Sequence, residues 1–495
     1  MPISPGVVEE SCDVLLIQPP VRGPEFVSKL SGTLYMPRRL VKACINPGIL
    51  SLGSYILHKG HSARILDLAE GDALLRVGLE SMKKAPRLVG IGCTSAFEYL
   101  GTLRCAQECK QCWPDVPVIV GGQHVGPLGT MVLEDAPHID FVCLYEGEVV
   151  LEQLLEQLID GKLACEVIQG LAYRINHTTA ANREIPKVVP LDEMPLLQYD
   201  MYPDFRRYTP YVEESRGCPY GCVYCISNYL HRRRIRLKSP RRIARELEHA
   251  RSLWGDIPEY ALLASTFGVR SSHVLELADR ISGLGIRWNT EIRPECHWER
   301  WLPQLQNSGL RVLNFGVESG SKEILSLMKR TDLPDEFLDR VVDLLHFSKD
   351  LGLRTRCNFI VYAGDTLQTL KETLEFIVKA GPHMDAIEYS PLFVVPGTQL
   401  ERDFPRLSEQ LGCSLVKGDY WEQVHLHPCH PSKEVSFDEA VGFAALIERM
   451  FSSPEGWYEA EKTMYTQKDH IAMERVKNVL MTARFADSGD TVEAD

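Results

Sequence analysis

Two successive series of short apolar runs, each run paired with a segment of helical spacing, set what this chain can fold into. In the first series the runs fall at 14–17, 64–66, 88–92, 116–120 and 139–144. Helical segments fall between them at 49–57, 73–82, 98–112, 128–134 and 149–159. Strands of this kind, alternating with amphipathic helices, predict α/β architecture with a doubly wound, Rossmann-like parallel sheet. Parallel neighbours need a long crossover between them, and a helix supplies it. Ligands in such sheets sit beyond the C-terminal strand ends.

The second series has strand candidates at 212–215, 260–264, 286–290, 312–317, 354–361 and 386–393. Helix candidates between them include 241–253, 274–284, 322–328 and 367–379. Six strand–helix units are fewer than the eight of a closed TIM barrel. A partial, open (β/α)6 TIM-like barrel is therefore expected. The plan is a first domain over 1–160 and a linker over 161–210, with minor strand character at 171–175 and Pro186, Pro190 and Pro195 as punctuation. A barrel over 211–400 follows, then a small, mostly helical region over 401–495 that serves as substrate or lid region. Its helices are expected around 437–450 and 465–482, with a frayed tail at 486–495. A length of 495 residues accommodates such a plan at about 150 residues per domain.

Charge excludes some classes. Lys plus Arg is 54 and Asp plus Glu 67, a net charge of −13. That argues against nucleic acid or an anionic membrane as a partner of the whole chain. No apolar run approaches the roughly 18 residues that span a bilayer, and the N-terminus lacks a secretory pattern. A cytoplasmic location is expected. Fifteen cysteines, an odd number in such a chain, are poorly explained by disulfides.

Spacing separates the cysteines. Cys218, Cys222 and Cys225 form CxxxCxxC directly after the first strand of the second series. Gly217, Pro219 and Gly221 forbid a regular helix there. A loop can wrap three thiolates around one small cluster. Three thiolates on a 4Fe-4S cubane leave one iron open to chelate a substrate. A zinc knuckle with a distant fourth ligand is the alternative the spacing leaves open. Cys105, Cys109 and Cys112 repeat the spacing inside a helical segment, with no Gly or Pro between them. On a helix they share one face and spread over roughly 10 Å. They are expected to pack, not to bind.

The loop triplet, with Tyr224 just before the last cysteine, resembles the motif of the radical S-adenosylmethionine (SAM) superfamily. Gly316, Glu318, Ser319 and Gly320 are similar to its G-x-E-S-G strand end, whose Glu and Ser lie near the SAM ribose and methionine. The segment 359–366 resembles its G-x-P-x-E-T turn, with Asp365 in place of Glu and no Pro. Pro391-Leu392-Phe393 with Pro396-Gly397-Thr398 resembles the last strand and its P-G-T turn. Where the family often has acidic residues after the second strand, this chain has Ala264, Ser265, Thr266 and Phe267. The resemblance implies that the open iron binds the amino and carboxylate groups of SAM. Reduction then cleaves SAM to methionine and a 5′-deoxyadenosyl radical.

The first domain resembles the cobalamin-binding domain placed before many radical SAM domains. The matching features are Asn46-Pro47-Gly48-Ile49, Gly121-Gly122-Gln123-His124 and Tyr145-Glu146-Gly147-Glu148. Glycines at strand ends let backbone approach a bulky planar ligand. Thr94 and Ser95 are placed to hydrogen-bond corrin amides or the nucleotide tail. The chain has no DxHxxG segment, so cobalamin is expected without a protein His on cobalt, and His124 is not assigned that role. Tyr35 and Arg38 are candidates for its lower face.

Together these resemblances imply a cobalamin-dependent radical SAM methyltransferase. One SAM methylates cobalamin to methylcobalamin, and a second gives the radical that takes hydrogen from an unactivated carbon. The methyl group then moves to that carbon (or to phosphorus) of a secondary metabolite, as in antibiotic biosynthesis, or of a peptide. The implied partners are that substrate and an electron donor such as flavodoxin or ferredoxin. A cyclase or rearrangement enzyme without net methylation is the alternative, and a non-catalytic iron-sulfur or corrinoid-binding sensor is the alternative of another class.

Four other features carry expectations. The basic run 231–238 reads as solvated surface entering a helix, or as contact with the cobalamin tail, the substrate or a donor. Arg293 and Glu295 end the third barrel strand, as ligand contacts or an ion pair. His425, His427, Cys429 and His430 read as a Pro-punctuated loop more than a metal site. Tyr420 and Trp421 are core or lid.

Overall fold

A computed structural model describes residues 11–21, 45–69, 71, 73–175, 178–255 and 259–452. Tyr35, Arg38, the helix expected at 465–482 and the tail at 486–495 lie outside the described residues. The chain divides into two compact units, one ending at Thr209 and the other continuing from Pro210.

The first unit is built on β1 (Val14–Gln18), β2 (Ala63–Asp67), β3 (Leu88–Gly92), β4 (Val118–Gly121) and β5 (Phe141–Cys143). These strands run parallel in the order β2-β1-β3-β4-β5. Every residue of β1 is buried, as expected of a strand covered on both faces. The strand order reverses between β1 and β3, the topological switch point beside which ligands of such sheets bind. The sheet continues with β6 (Leu171–Ile175) and β7 (Thr178–Ala181), both antiparallel. The segment expected as a linker thus adds two strands. Only the first had an apolar run long enough to signal itself.

Helix starts follow capping chemistry. Asn46 Oδ1 accepts from Ile49 N at 3.1 Å, and Pro47 opens the helix Pro47–His58. Ser95 and Glu98 form a capping box on the helix Ala96–Cys112. The short helix expected at 128–134 is instead two, Val125–Leu128 and Thr130–Asp135, broken at Gly129. Within Ala96–Cys112 the side chains of Cys105 and Cys109 are buried and Cys112 is half-buried. They form a packing face, as the spacing predicts.

The second unit opens with β8 (Tyr211–Glu213), then β9 (Ser215–Gly217) and β10 (Ile235–Leu237), which pair antiparallel with each other. There follow β11 (Tyr260–Leu263), β12 (Trp288–Ile292), β13 (Leu310–Glu318), β14 (Arg354–Val361) and β15 (Ala386–Pro391). With β8 they make a six-stranded parallel sheet in the order β15-β14-β13-β12-β11-β8. Consecutive strands are neighbours throughout, and β8 and β15 are the two edges, so the partial barrel is open.

After the barrel come β16 (Phe393–Val394), β17 (Ser414–Leu415) and β18 (His427–His430), in one three-stranded sheet. The helices Gln399–Leu411, Asp419–Gln423 and Phe437–Ser452 surround it. The region is mostly helical but carries this small sheet. The residues 427–430, expected as a loop, form a strand in which Pro428 and Cys429 are buried. Trp421 is core, with its ring 5.7 Å from that of Phe393. The basic run is a turn and a strand before it meets a helix. Arg232, Arg233 and Arg234 are exposed, whereas Lys238 is buried and paired with Glu246 at 2.7 Å. No helix among the described residues is long and apolar enough to cross a membrane.

Candidate functional site

The cysteine loop lies between β9 and the helix Ser227–His231. Cys222 is buried, and Cys218 and Cys225 are half-exposed. Cys225 N donates to Cys222 O at 3.2 Å, and Asn228 Nδ2 donates to the same oxygen at 3.0 Å. The loop is pinned at Val223, whose N–H donates to Met328 O at 3.1 Å and whose carbonyl accepts from Leu400 N at 2.8 Å. The Val223 side chain sits in a core with Ile324, Met328, Tyr362, Leu392, Leu400 and Phe404. Residues far apart in sequence thus present the three thiols. Burial pushes the Cys225 thiol up to about 11 and raises that of Cys218. The neighbouring cysteines add to both shifts.

The end of β13 supplies an acid to the same place. The sheet register slips between Gly316 and Glu318, and Glu318 takes a left-handed φ of 73°. Its carboxylate folds back over Gly316, where a Cβ atom would lie 1.9 Å from Glu318 Oε1. That is the physical reason for glycine two residues before this glutamate. Burial pushes the Glu318 carboxyl up to about 7, and the charge of Glu291 adds to this. The Tyr224 hydroxyl, which hydrogen-bonds it, and Arg293 act the other way. Tyr224 stacks edge-on against Tyr362 at 6.1 Å. Ser319, expected beside SAM, is instead buried in the loop. Its Oγ lies 3.0 Å from Thr373 Oγ1 and accepts from Ser321 N at 3.0 Å. Asp365 is also an internal tie, accepting from Tyr362 N at 2.6 Å and from Thr369 Oγ1 at 2.6 Å.

Arg293, just beyond β12, is only 8% exposed. Its Nη1 lies 3.4 Å from Cys222 Sγ, and its guanidinium carbon is 3.8 Å from the centre of the Tyr220 ring. Glu295 accepts from Nη2 at 2.6 Å and also binds Arg330. Arg293 and Glu295 are therefore an ion pair, and they adjoin the cysteine loop.

The parallel sheet has one face that its sequence did not advertise. Sheets of this type are normally covered on both faces by apolar residues. Here alternate residues on β12 to β15 are accessible and mostly polar: Glu291, Asn314, Arg356, Asn358, Glu388 and Ser390. Glu291 is open to solvent yet walled by protein, and desolvation together with the charge of Glu388 pushes its carboxyl up to about 7. An accessible polar face inside a partial barrel is room for a polar ligand. The signal was an alternation of polar residues in strands otherwise rich in buried apolar ones.

In the first unit three loops line up after β3, β4 and β5. Thr94 is exposed, but its hydroxyl donates to Glu98 Oε2 at 2.9 Å. Ser95 Oγ accepts from Phe97 N at 3.2 Å. Gly121 ends β4, and Gly122 has φ 129°. A Cβ on Gly122 would meet Cys93 O at 2.4 Å, so this glycine serves the approach of two strand-end loops of the chain itself. Replacing Gly122 by alanine is expected to cost about 2–4 kcal/mol, read as a lower thermal midpoint of the ligand-free protein. An unchanged midpoint would show that the two loops part freely. Gln123 is exposed, whereas His124 is buried with its ring edge-on to Tyr99 at 5.5 Å. Glu146 is half-buried, and Gly147 starts the helix Glu148–Asp160. Glu148 accepts from Ser51 Oγ at 3.0 Å. Among the described residues no three His, Cys, Asp or Glu side chains converge on a single-ion site.

Comparison with known proteins places both units. A family profile described as the B12 binding domain matches residues 40–155, and one described as the Radical SAM superfamily matches 212–377. A protein of Pyrococcus horikoshii named as an uncharacterized methyltransferase is 28% identical over 78% of this chain and 82% of its own length. The anaerobic magnesium-protoporphyrin IX monomethyl ester cyclase of Rubrivivax gelatinosus is 25% identical over 68% of this chain and 61% of its own. The solved structure of the radical SAM methyltransferase TsrM from Kitasatospora setae, with cobalamin and a 4Fe-4S cluster bound, superposes with a TM-score of 0.70. It covers 96% of this chain and 99% of that one at 15% identity, which is a likeness of fold. The chain therefore joins a B12-binding domain to a radical SAM superfamily domain, and the cofactors these domains imply are a 4Fe-4S cluster, SAM and cobalamin.

Proposed function

We propose that this enzyme is a methyltransferase that moves a methyl group from SAM, by way of cobalamin, to an unactivated carbon or to phosphorus of a polar small molecule or peptide. The observation that carries this reading is the cysteine loop held beside Glu318 at the C-terminal ends of the barrel strands, in a chain that also has a B12-binding domain. Relatives and a fold neighbour named as methyltransferases support it.

In this reading Cys218, Cys222 and Cys225 hold the cluster. The donor set fits. A cubane places each thiolate on a different iron and so needs a wider triangle than one metal ion does. The cluster supplies the electron that cleaves SAM, and cobalamin supplies the methyl carrier. Glu318 and Tyr224 orient the SAM ribose and methionine, and Ser319 holds their loop in place. The accessible face at Glu291, Asn314, Arg356, Asn358 and Glu388 receives the polar substrate. In the first unit, Thr94, Ser95, Gln123 and Glu146 meet the cobalamin, while Gly121, Gly122, His124 and Gly147 shape the loops beneath it. His124 faces the core and is not a cobalt ligand here. Arg232, Arg233 and Arg234, exposed after the cysteine loop, offer an acidic electron donor such as flavodoxin or ferredoxin a complementary surface.

Product analysis of the anaerobically loaded protein tests the reading. Methyl transfer is expected to give both S-adenosylhomocysteine and 5′-deoxyadenosine from SAM. Deoxyadenosine without S-adenosylhomocysteine would point to a cyclase or rearrangement. Neither product would point to a sensor and sink the enzymatic reading.

A further inference from the structure

We propose that Arg293 is a positioning residue that raises the reduction potential of the cluster by donating a hydrogen bond to the thiolate of Cys222. The proposal rests on the reading that Cys218, Cys222 and Cys225 hold the cluster.

The guanidinium is fixed on three sides. The Tyr220 ring backs its face at 3.8 Å. Nη2 donates to Glu295 Oε1 at 2.6 Å and to Arg330 O at 2.5 Å. Nη1 is left pointing at Cys222 Sγ, 3.4 Å away. Nε is buried and has no hydrogen-bond partner among the described residues. An arginine placed only to balance Glu295 would not leave a buried donor unmet, because such a group is costly without an acceptor. Toward Cys222 the guanidinium offers Nη1 alone.

The charge balance around it is also uneven. Arg293 and Arg330 share the single carboxylate of Glu295. A second cation therefore stands behind the one that faces the sulfur. Hydrogen bonds to ligand sulfurs and local positive charge both stabilise the more negative, reduced cluster. Burial keeps solvent from screening the effect. The electron that enters on reduction makes no bond and moves no proton; only the charge on the cluster changes.

An anaerobic redox titration tests this. Dithionite is the one-electron reductant, the EPR signal of the reduced cluster is the readout, and SAM is left out. Arg293→Met keeps the bulk but removes the donors and the charge. It is expected to shift the reduction equilibrium at least tenfold toward the oxidised cluster, about 59 mV for one electron. Glu295→Gln keeps an acceptor for Arg293 but removes the opposing charge, so it is expected to shift the midpoint upward. A merely structural ion pair moves neither midpoint, and wild-type values in both variants overturn the proposal. So does an Arg293→Met shift seen only when SAM is added, because the arginine would then act through the SAM carboxylate. If Arg293→Met does not retain iron, Glu295→Gln decides alone: an upward shift supports the proposal and no shift overturns it. Wild-type protein with no iron would sink the cluster assignment itself, an outcome distinct from a cluster with an unmoved midpoint.

Discussion

Replacing Cys218, Cys222 and Cys225 together by alanine is expected to remove about four irons and their sulfide from the anaerobically purified protein. SAM cleavage should fall to background, and bound cobalamin should stay. The expectation is large because no other described group can take over. The loop is presented by Val223, through its bonds to Met328 and Leu400. That clamp is backbone and survives the substitution, so the fold should be kept. Alanine at Cys105, Cys109 and Cys112 is the matched control. Those thiols repeat the spacing, but on a helix, and should leave the iron untouched. Iron, sulfide and corrinoid content are the measurements. Iron that survives the first triple substitution, or zinc in its place, would remove the mechanism. Iron without corrinoid would remove only the cobalamin assignment from the first unit.

Glu318→Gln is expected to weaken SAM binding by about 10- to 100-fold, the range for a hydrogen bond to a charged group in a buried site. Gly316→Ala should do the same without changing any charge, because its Cβ would stand 1.9 Å from the carboxylate oxygen. Equilibrium dialysis of SAM against the loaded protein checks both. The sign of the pH dependence follows from a Glu318 carboxyl pushed up to about 7, chiefly by burial. Below that pH it is protonated and a poorer partner for a ribose or a cation. Wild-type affinity should therefore rise from about pH 6 to about pH 8, and Glu318→Gln should flatten the rise. Stability should run the other way. A carboxyl whose folded value is raised contributes stability at low pH that is lost as pH rises through about 7. Glu291 is also pushed up to about 7 and adds its charge to Glu318. Glu291 keeps its own raised carboxyl in the variant, so some pH dependence should remain there. Affinity in Glu318→Gln equal to wild type at pH 8 would remove Glu318 from the SAM site.

The cysteine loop was legible because its chemistry is local. Glycine and proline forbid a helix at 217–221, so three thiols at that spacing had to sit in a loop. The twin triplet at Cys105, Cys109 and Cys112 was rejected on the same ground, and the helix Ala96–Cys112 buries it as a face. All six barrel strands were read from apolar runs, since each has a buried face that demands them. Other features were not legible. β7 is too short and polar to signal itself, and β18 reads as a loop because Pro428 interrupts it. Ser319 looks like a ligand group in sequence, yet its hydroxyl is tied to Thr373 and Ser321 within the chain.

The amino-acid sequence alone determined the two-part α/β plan, which of two identical cysteine spacings lies in a loop, and the domain families that the two parts match. These depend on periodicity and on residues within one loop, which the chain order preserves. Only the tertiary structure decided which polar groups are engaged within the chain and which stay accessible. Arg293 meets Cys222 from 71 residues away, Glu318 meets Tyr224, and Glu291, Arg356 and Glu388 share an accessible face. Those encounters depend on strand register and on what burial does to a charge, and neither is written in local spacing.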